Sequence, residues 1–136
     1  MKTVLFACVH NAGRSQMAAG IFNHLADPAK ARAISAGTQP GARVHPVVVD
    51  VMRELGVDLA GVVPRKLTDG LASQTSVLVT MGCGEECPVV LGVEREGWPL
   101  DDPKGQPVER VRQIRDEVVR RVRTMLTARG WLGARG

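Results

Sequence analysis

Tyrosine is absent from this 136-residue chain, and two Phe and two Trp are its only aromatics. Aliphatic residues, chiefly Val, Leu, Ala and Met, must therefore fill the core. The 44% hydrophobic and 24% charged content fits an ordinary globular composition, and the length fits one domain, residues 1–136. Formal net charge is +4, and eight of the 18 Lys and Arg residues are arginines between Arg110 and Arg135. Without interleaved aromatics, and with Glu109, Asp116 and Glu117 breaking the run, that segment reads as a solvated helix face. A nucleic-acid partner is not expected.

Long apolar runs are also missing. None approaches the roughly 18 residues of a membrane span, so no membrane partner is expected. Leu5-Phe6-Ala7-Cys8 is loosely similar to a lipoprotein cleavage site. However, the apolar run from Thr3 to Val9 is too short for a signal sequence, and its charged segment is one lysine. Three cysteines, Cys8, Cys83 and Cys87, are too few and too irregular for a secreted disulfide framework. A cytoplasmic location is expected, where a small cysteine set points to metal or redox chemistry.

What is present is an alternation of strand and helix signals. Lys2–Ala7 reads as a buried strand. A helix follows from Gly13 or Arg14 to Leu25, with Met17, Ile21, Phe22 and Leu25 at helical spacing. Asp27-Pro28 ends it, and Ala31–Ala36 is a second strand closed by Gly37. His45 to Leu55 fits a helix with Pro46 in its first turn. Val77-Leu78-Val79, within Gln74–Met81, reads as a central strand, and a weaker strand lies near Val93–Leu100. The longest helix runs from Val108 to about Ala128, with Val111, Ile114, Val118, Val122 and Met125 on one face. This order predicts an α/β domain: a four-stranded parallel sheet with helices on both faces, a three-layer sandwich. Ligands bind beyond the carboxyl ends of the strands in such sheets. Cys8, Cys83 and the Asp101-Asp102 pair all follow strands and should share that edge.

The stretch Cys8-Val9-His10-Asn11-Ala12-Gly13-Arg14-Ser15 joins the first strand to the first helix. Gly13 and Ala12 let the backbone curl, and Asn11 tolerates a left-handed conformation. A curl of this kind turns the N–H groups of Val9, His10, Asn11, Ala12 and Gly13 inward, making an anion cradle at a helix N-terminus. Arg14 adds a bidentate fork for a tetrahedral oxyanion. Cys8 at its mouth faces amide dipoles, the helix end and a guanidinium, and Ser15 can donate to its sulfur. Each of these favours thiolate over thiol, which makes Cys8 a candidate nucleophile held against a bound oxyanion. The plainer reading is a buried structural cysteine; the C-x5-R-S spacing at a strand–helix junction favours catalysis.

The C-x5-R-S motif at the chain's start resembles the low-molecular-weight tyrosine phosphatase fold. CVHNAGRSQMA more closely resembles the arsenate reductases that share this fold and are coupled to thioredoxin. The similarity continues through Ser35-Ala36-Gly37, Val79-Thr80-Met81-Gly82-Cys83 and Trp98-Pro99-Leu100-Asp101-Asp102-Pro103. The resemblance implies a three-thiol relay. Cys8 displaces an oxygen from arsenate, Cys83 attacks Cys8 as arsenite leaves, and Cys87 then takes over the disulfide for thioredoxin to reduce. A disulfide needs Cα atoms within about 7 Å, so the 82–92 segment is expected to move, eased by Gly82, Gly84 and Gly92. The four-residue step from Cys83 to Cys87 is shorter than in the best-known members.

Two alternatives stand beside this reading. A phosphatase would hydrolyse the Cys8 intermediate with water. Phosphatases of this fold typically carry tyrosines after the acid Asp-Pro and a second cysteine in the first loop, and this chain has neither. A zinc site matches poorly, because zinc usually takes four N or S ligands and here one C-x3-C accompanies three scattered histidines. No metal site is expected.

The resemblance assigns the general acid to Asp102, directly before Pro103, with Asp101 the neighbour most easily confused with it. Asp-Asp-Pro also reads as a simple turn signal. Some members bind potassium near the first loop through a Glu and an Asp; the matching positions here hold Ala19 and, by approximate alignment, Lys66. One expectation is that Lys66 replaces the ion and steadies the loop through Asn11 or Ser35; the other is that it is merely solvated. The His10 side chain is a candidate for donating to the oxyanion or tuning Cys8. His24 and His45 read as structural or solvated, and Trp98 as packing. The expected activity is reduction of arsenate to arsenite with thioredoxin as partner, phosphate as competitor, no cofactor, a monomeric state, and a weak phosphatase side activity. The rival outside enzymes is a redox-sensing or oxyanion-binding module.

Overall fold

The computed structural model describes residues 1–82 and 90–134. Strands β1 (Lys2–Cys8), β2 (Ala31–Gly37), β3 (Val77–Thr80) and β4 (Glu94–Gly97) form one sheet in the order β2-β1-β3-β4, with every pairing parallel. Helices α1 (Arg14–Leu25), α2 (Pro46–Arg53), α3 (Asp69–Ser73) and α4 (Val108–Arg129) lie between and after them. The register sets Cys8 beside Gly37, Ala7 beside Thr80, and Thr80 beside Gly97. The carboxyl ends of all four strands thus meet at one edge, where Cys8 and Asp102 were expected to converge.

Side chains alternate across the sheet. Val4, Phe6 and Cys8 join Val77 and Val79 on one face, packed with residues of α1, α2 and α4. Leu5 and Ala7 join Ala36, Leu78, Leu67 and Ala72 on the other. The apolar stripe of α4, Val111, Ile114, Val118, Val122 and Met125, is buried. Gly130 ends that helix at φ +73°, a left-handed cap that glycine adopts without strain. All four aromatics form one string: Trp131 meets Phe22, Phe22 meets Phe6, and Phe6 meets Trp98, with centroids 5.3–6.3 Å apart. Trp98 is thus core, as expected.

Three elements differ from the sequence reading. Helix α3 was not expected: five residues with an internal Gly70 show no helical period, and its start is fixed by Thr68, whose Oγ1 accepts from the Leu71 N–H. Helix α2 is shorter at both ends, running Pro46–Arg53, with His45 in the cap position. Strand β4 is only Glu94–Gly97, although the Trp98 N–H just beyond it still donates to the Thr80 carbonyl at 2.9 Å. The arginines of α4 are largely paired within the fold, Arg112 and Arg115 with Glu54, Arg120 and Arg121 with Glu117, and Arg129 with Glu94 and Glu96. Among the described residues no helix is long and apolar enough to cross a membrane.

Candidate active site

The loop after β1 is shaped by where its carbonyls go. Those of Cys8, Val9, His10 and Ala12 accept from the N–H groups of Thr38, Gln39, Gly41 and His45, at 3.2, 2.8, 2.9 and 2.9 Å. The Asn11 carbonyl accepts from Gln16 Nε2 at 3.1 Å. In a trans peptide the C=O and the following N–H point opposite ways. Fastening five consecutive carbonyls outward therefore turns the N–H groups of Val9 through Gly13 toward the interior of the loop. Gly37 permits this docking, since a Cβ there would lie 2.6 Å from the Val9 oxygen. Helix α1 begins at Arg14 with no side-chain cap on its first turn, so its positive end faces the same space.

Cys8 is 2% exposed, and its Sγ lies 2.9 Å from Ser15 Oγ. Asn11, at φ +50° and wholly buried, donates from Nδ2 to that hydroxyl at 2.7 Å. The Asn11 Oδ1 accepts from the Arg65 N–H at 3.0 Å and from Gln16 Nε2 at 3.1 Å. Among the described residues no buried side-chain nitrogen or oxygen lacks a partner.

Arg14 gathers three segments. Its Nη1 donates to the Leu100 carbonyl at 3.2 Å, its Nη2 lies 3.8 Å from Asp102 Oδ2, and its guanidinium packs against Gly82. The two neighbouring aspartates separate cleanly. Asp102 faces Arg14 and accepts from the Lys104 N–H at 3.0 Å, whereas Asp101 pairs with Arg110 of α4. Pro103 seats on Gly13, where a Cβ would lie 2.7 Å from its Cγ. His45 borders the same spot; burial pushes its pKa below 6.5, against the opposing pull of Asp102.

One expectation needs correction. The Lys66 ammonium reaches neither Asn11 nor Ser35; it donates to the Thr38 carbonyl. Its neighbour Arg65 makes both contacts, through its N–H to Asn11 Oδ1 and through Nε to the Ser35 carbonyl at 3.1 Å. The His10 ring turns to the 38–45 segment, with Nδ1 3.1 Å from the Gln39 carbonyl. An oxygen that only accepts puts the proton on that nitrogen. Cys83 and Cys87 lie outside the described residues, as does most of the 82–92 segment that was expected to move.

The sequence reading missed Gln16, Arg65 and the Leu100 carbonyl. Their roles run through backbone atoms and buried amides that no spacing rule displays. Among the described residues no cluster of three or more His, Cys, Asp or Glu is placed to hold a metal ion.

Residues 3–130 match the family described as low molecular weight phosphotyrosine protein phosphatase. A Synechocystis protein named glutaredoxin arsenate reductase is 34% identical over 129 residues, covering 93% of this chain and 97% of that one. A thioredoxin-dependent arsenate reductase of Corynebacterium glutamicum superposes with a TM-score of 0.82 at 34% identity, over 94% of this chain and 61% of that longer one. An arsenate reductase in the phosphate binding state superposes with a TM-score of 0.76 at 33% identity, over 94% of this chain and 98% of its own. With the Cys8 loop, helix end and arginine arranged as described, and a family match over residues 3–130, the chain belongs to the low molecular weight phosphotyrosine protein phosphatase family.

Proposed function

We propose that this protein reduces arsenate to arsenite through Cys8, Cys83 and Cys87, and that a dithiol protein of the thioredoxin type regenerates it. The observation that carries the first step is the 2.9 Å contact of Ser15 Oγ with Cys8 Sγ, at a loop whose amides and Arg14 favour an oxyanion. The preference for reduction over hydrolysis rests on the two extra thiols in the sequence and on the names of the relatives.

In the proposed sequence the Cys8 thiolate attacks arsenate at arsenic. An As–O bond breaks, and Asp102 protonates the departing oxygen, which leaves as water. Cys83 then attacks the Cys8 sulfur. The electron pair of the S–As bond passes to arsenic, which leaves as arsenite, and a Cys8–Cys83 disulfide remains. Cys87 attacks Cys83, returning Cys8 as thiolate and leaving a Cys83–Cys87 disulfide, which two thiols of the reductant open by exchange. Arsenic gains two electrons and the reductant loses two. Phosphate, of nearly the same shape and charge, occupies the loop without being reduced and is expected to compete.

The test is arsenate-dependent oxidation of reduced thioredoxin, with mass mapping of the joined sulfurs after one turnover. Wild type should turn over, Cys83→Ser should stall as a Cys8 adduct, and Cys87→Ser should stall as a Cys8–Cys83 disulfide. Two serine variants that both turn over like wild type would rule out the relay. Hydrolysis of a phosphomonoester without any arsenate-dependent thiol oxidation would put the phosphatase reading in its place. Release of bound arsenate unchanged would point to the binding module.

A further inference from the structure

Gly82 ends the sequence that leaves β3, and its backbone sits at φ +101°. A Cβ built there would lie 2.3 Å from Arg14 Nη1, 3.1 Å from Cζ and 3.4 Å from Nη2. All three nearest atoms belong to one guanidinium. The same Nη1 donates to the Leu100 carbonyl, and the Arg14 side chain is only 11% exposed. One end of the guanidinium is thus lodged in a slot between the segments that follow β3 and β4. The other end, Nη2, is the one that looks toward Asp102.

The geometry points to Gly82 as a positioning residue for Arg14: its missing side chain is the space that Nη1 occupies, and filling it turns the guanidinium away from the oxyanion loop. This rests on the proposed oxyanion chemistry of that loop, and it assigns a role to a residue through the side chain it lacks. A bidentate fork is useful only when held at one angle. Arg14 has a long flexible stem, and the Leu100 carbonyl and the Gly82 slot together fix where its tip lies. The atoms a Cβ would strike are the far end of that flexible side chain rather than backbone. The fold can therefore accommodate the intrusion, and the arginine yields. The expected damage is to anion binding more than to stability.

Inorganic phosphate, titrated calorimetrically into the full-length reduced protein, serves as the probe. Gly82→Ala should weaken phosphate binding about tenfold or more, the scale of one lost charge-assisted hydrogen bond. Gly82→Asn, which places a Cβ at the same point and better tolerates positive φ, should behave alike and carries the test if the alanine variant does not fold. Gly130→Ala is the control for left-handed strain: φ is +73° there and nothing lies within 4 Å. It should lower the melting temperature and leave phosphate affinity unchanged.

A double-mutant cycle separates positioning from general damage. In an Arg14→Lys background, Gly82→Ala should have little further effect on phosphate affinity, because the group it displaces is gone. Phosphate affinity equal to wild type in both Gly82 variants would overturn the inference. So would the same fold-loss in the Arg14→Lys background. Wild-type protein that binds neither phosphate nor arsenate would instead overturn the oxyanion reading itself.

Discussion

The Arg65 N–H donates to Asn11 Oδ1 at 3.0 Å, and that bond fixes the direction of a buried chain ending at Cys8. A backbone N–H can only donate, so the atom it meets must be the amide oxygen of Asn11. Nδ2 then faces Ser15, and Ser15 Oγ accepts from it. The serine proton is left free to point at Cys8 Sγ, 2.9 Å away.

Asn11→Asp tests this direction with almost no change of shape. A carboxylate has no N–H for Ser15, so the serine proton turns to it and away from the sulfur. Alkylation of Cys8 at pH 7, followed by mass spectrometry, should slow by about tenfold or more, the scale of a hydrogen bond to a charged group. Ser15→Ala should slow it in the same direction. Unchanged rates in both variants would show that the chain runs the other way.

Asp102 and Asp101 are adjacent yet face different partners, which separates their expected phenotypes. Asp102→Asn removes the carboxyl beside Arg14 and should lower turnover by about 10²-fold or more, in the range of a general acid. Asp101→Asn breaks only a solvated pair with Arg110 and should cost under about 1 kcal/mol of stability, with turnover intact. Steady-state kinetics with a melting curve for each variant distinguishes them; the reverse pattern would move the acid to Asp101.

The legible parts of the fold were those with long repeats or a chemical signature. The α4 stripe from Val111 to Met125 announces its burial by its helical period, and the Val77–Val79 run by its unbroken apolarity. The C-x5-R-S spacing announced the Cys8–Ser15 contact. Helix α3 was hidden because five residues cannot display a 3.6-residue period. The slip from Arg65 to Lys66 has another cause. Arg65 reaches Asn11 through its backbone N–H, a group every residue except proline carries, so side-chain identity gives no clue. The Gly82 slot was hidden for a related reason: a glycine's value there lies in which distant side chain fills its missing Cβ.

Potassium is expected to have no effect on turnover. The two carboxylates that the resemblance gives to the ion are replaced here by Ala19 and Lys66, and the Asn11, Ser35 and Thr38 carbonyls accept from Gln16, Arg65 and Lys66. Replacing sodium by potassium at constant ionic strength should leave kcat/KM unchanged. A strong activation would show that an ion displaces these donors.

His45 predicts one limb of the stability–pH curve. Burial holds its folded pKa below 6.5, so the unfolded chain takes up the proton first as pH falls. The stability it contributes is present above pH 6.5 and lost as pH drops through the folded value. Asp102, Lys104 and His10 act on it electrostatically, Asp102 raising the value and Lys104 and His10 lowering it. His45→Gln should flatten the fall in melting temperature just below pH 6.5; a slope equal to wild type would remove His45 as its source.

Glu54 predicts a second, more acidic limb. Its carboxylate accepts from Arg112 at 2.9 Å and from Arg115 at 2.6 Å, while Arg115 also donates to the Val51 carbonyl in the last turn of α2. The two guanidiniums lower its pKa from the usual 4.5 to about 2. Its contribution is therefore present above pH 4.5 and lost as pH falls from there toward 2. Salt should weaken it, because the pair from Arg112 is solvated. Glu54→Gln should melt lower than wild type at pH 7 and show a shallower decline between those two pH values. Parallel curves for the two proteins across that range would mean that the clamp between α2 and α4 is held by the apolar contacts of Val51 and its neighbours, with the charges contributing nothing.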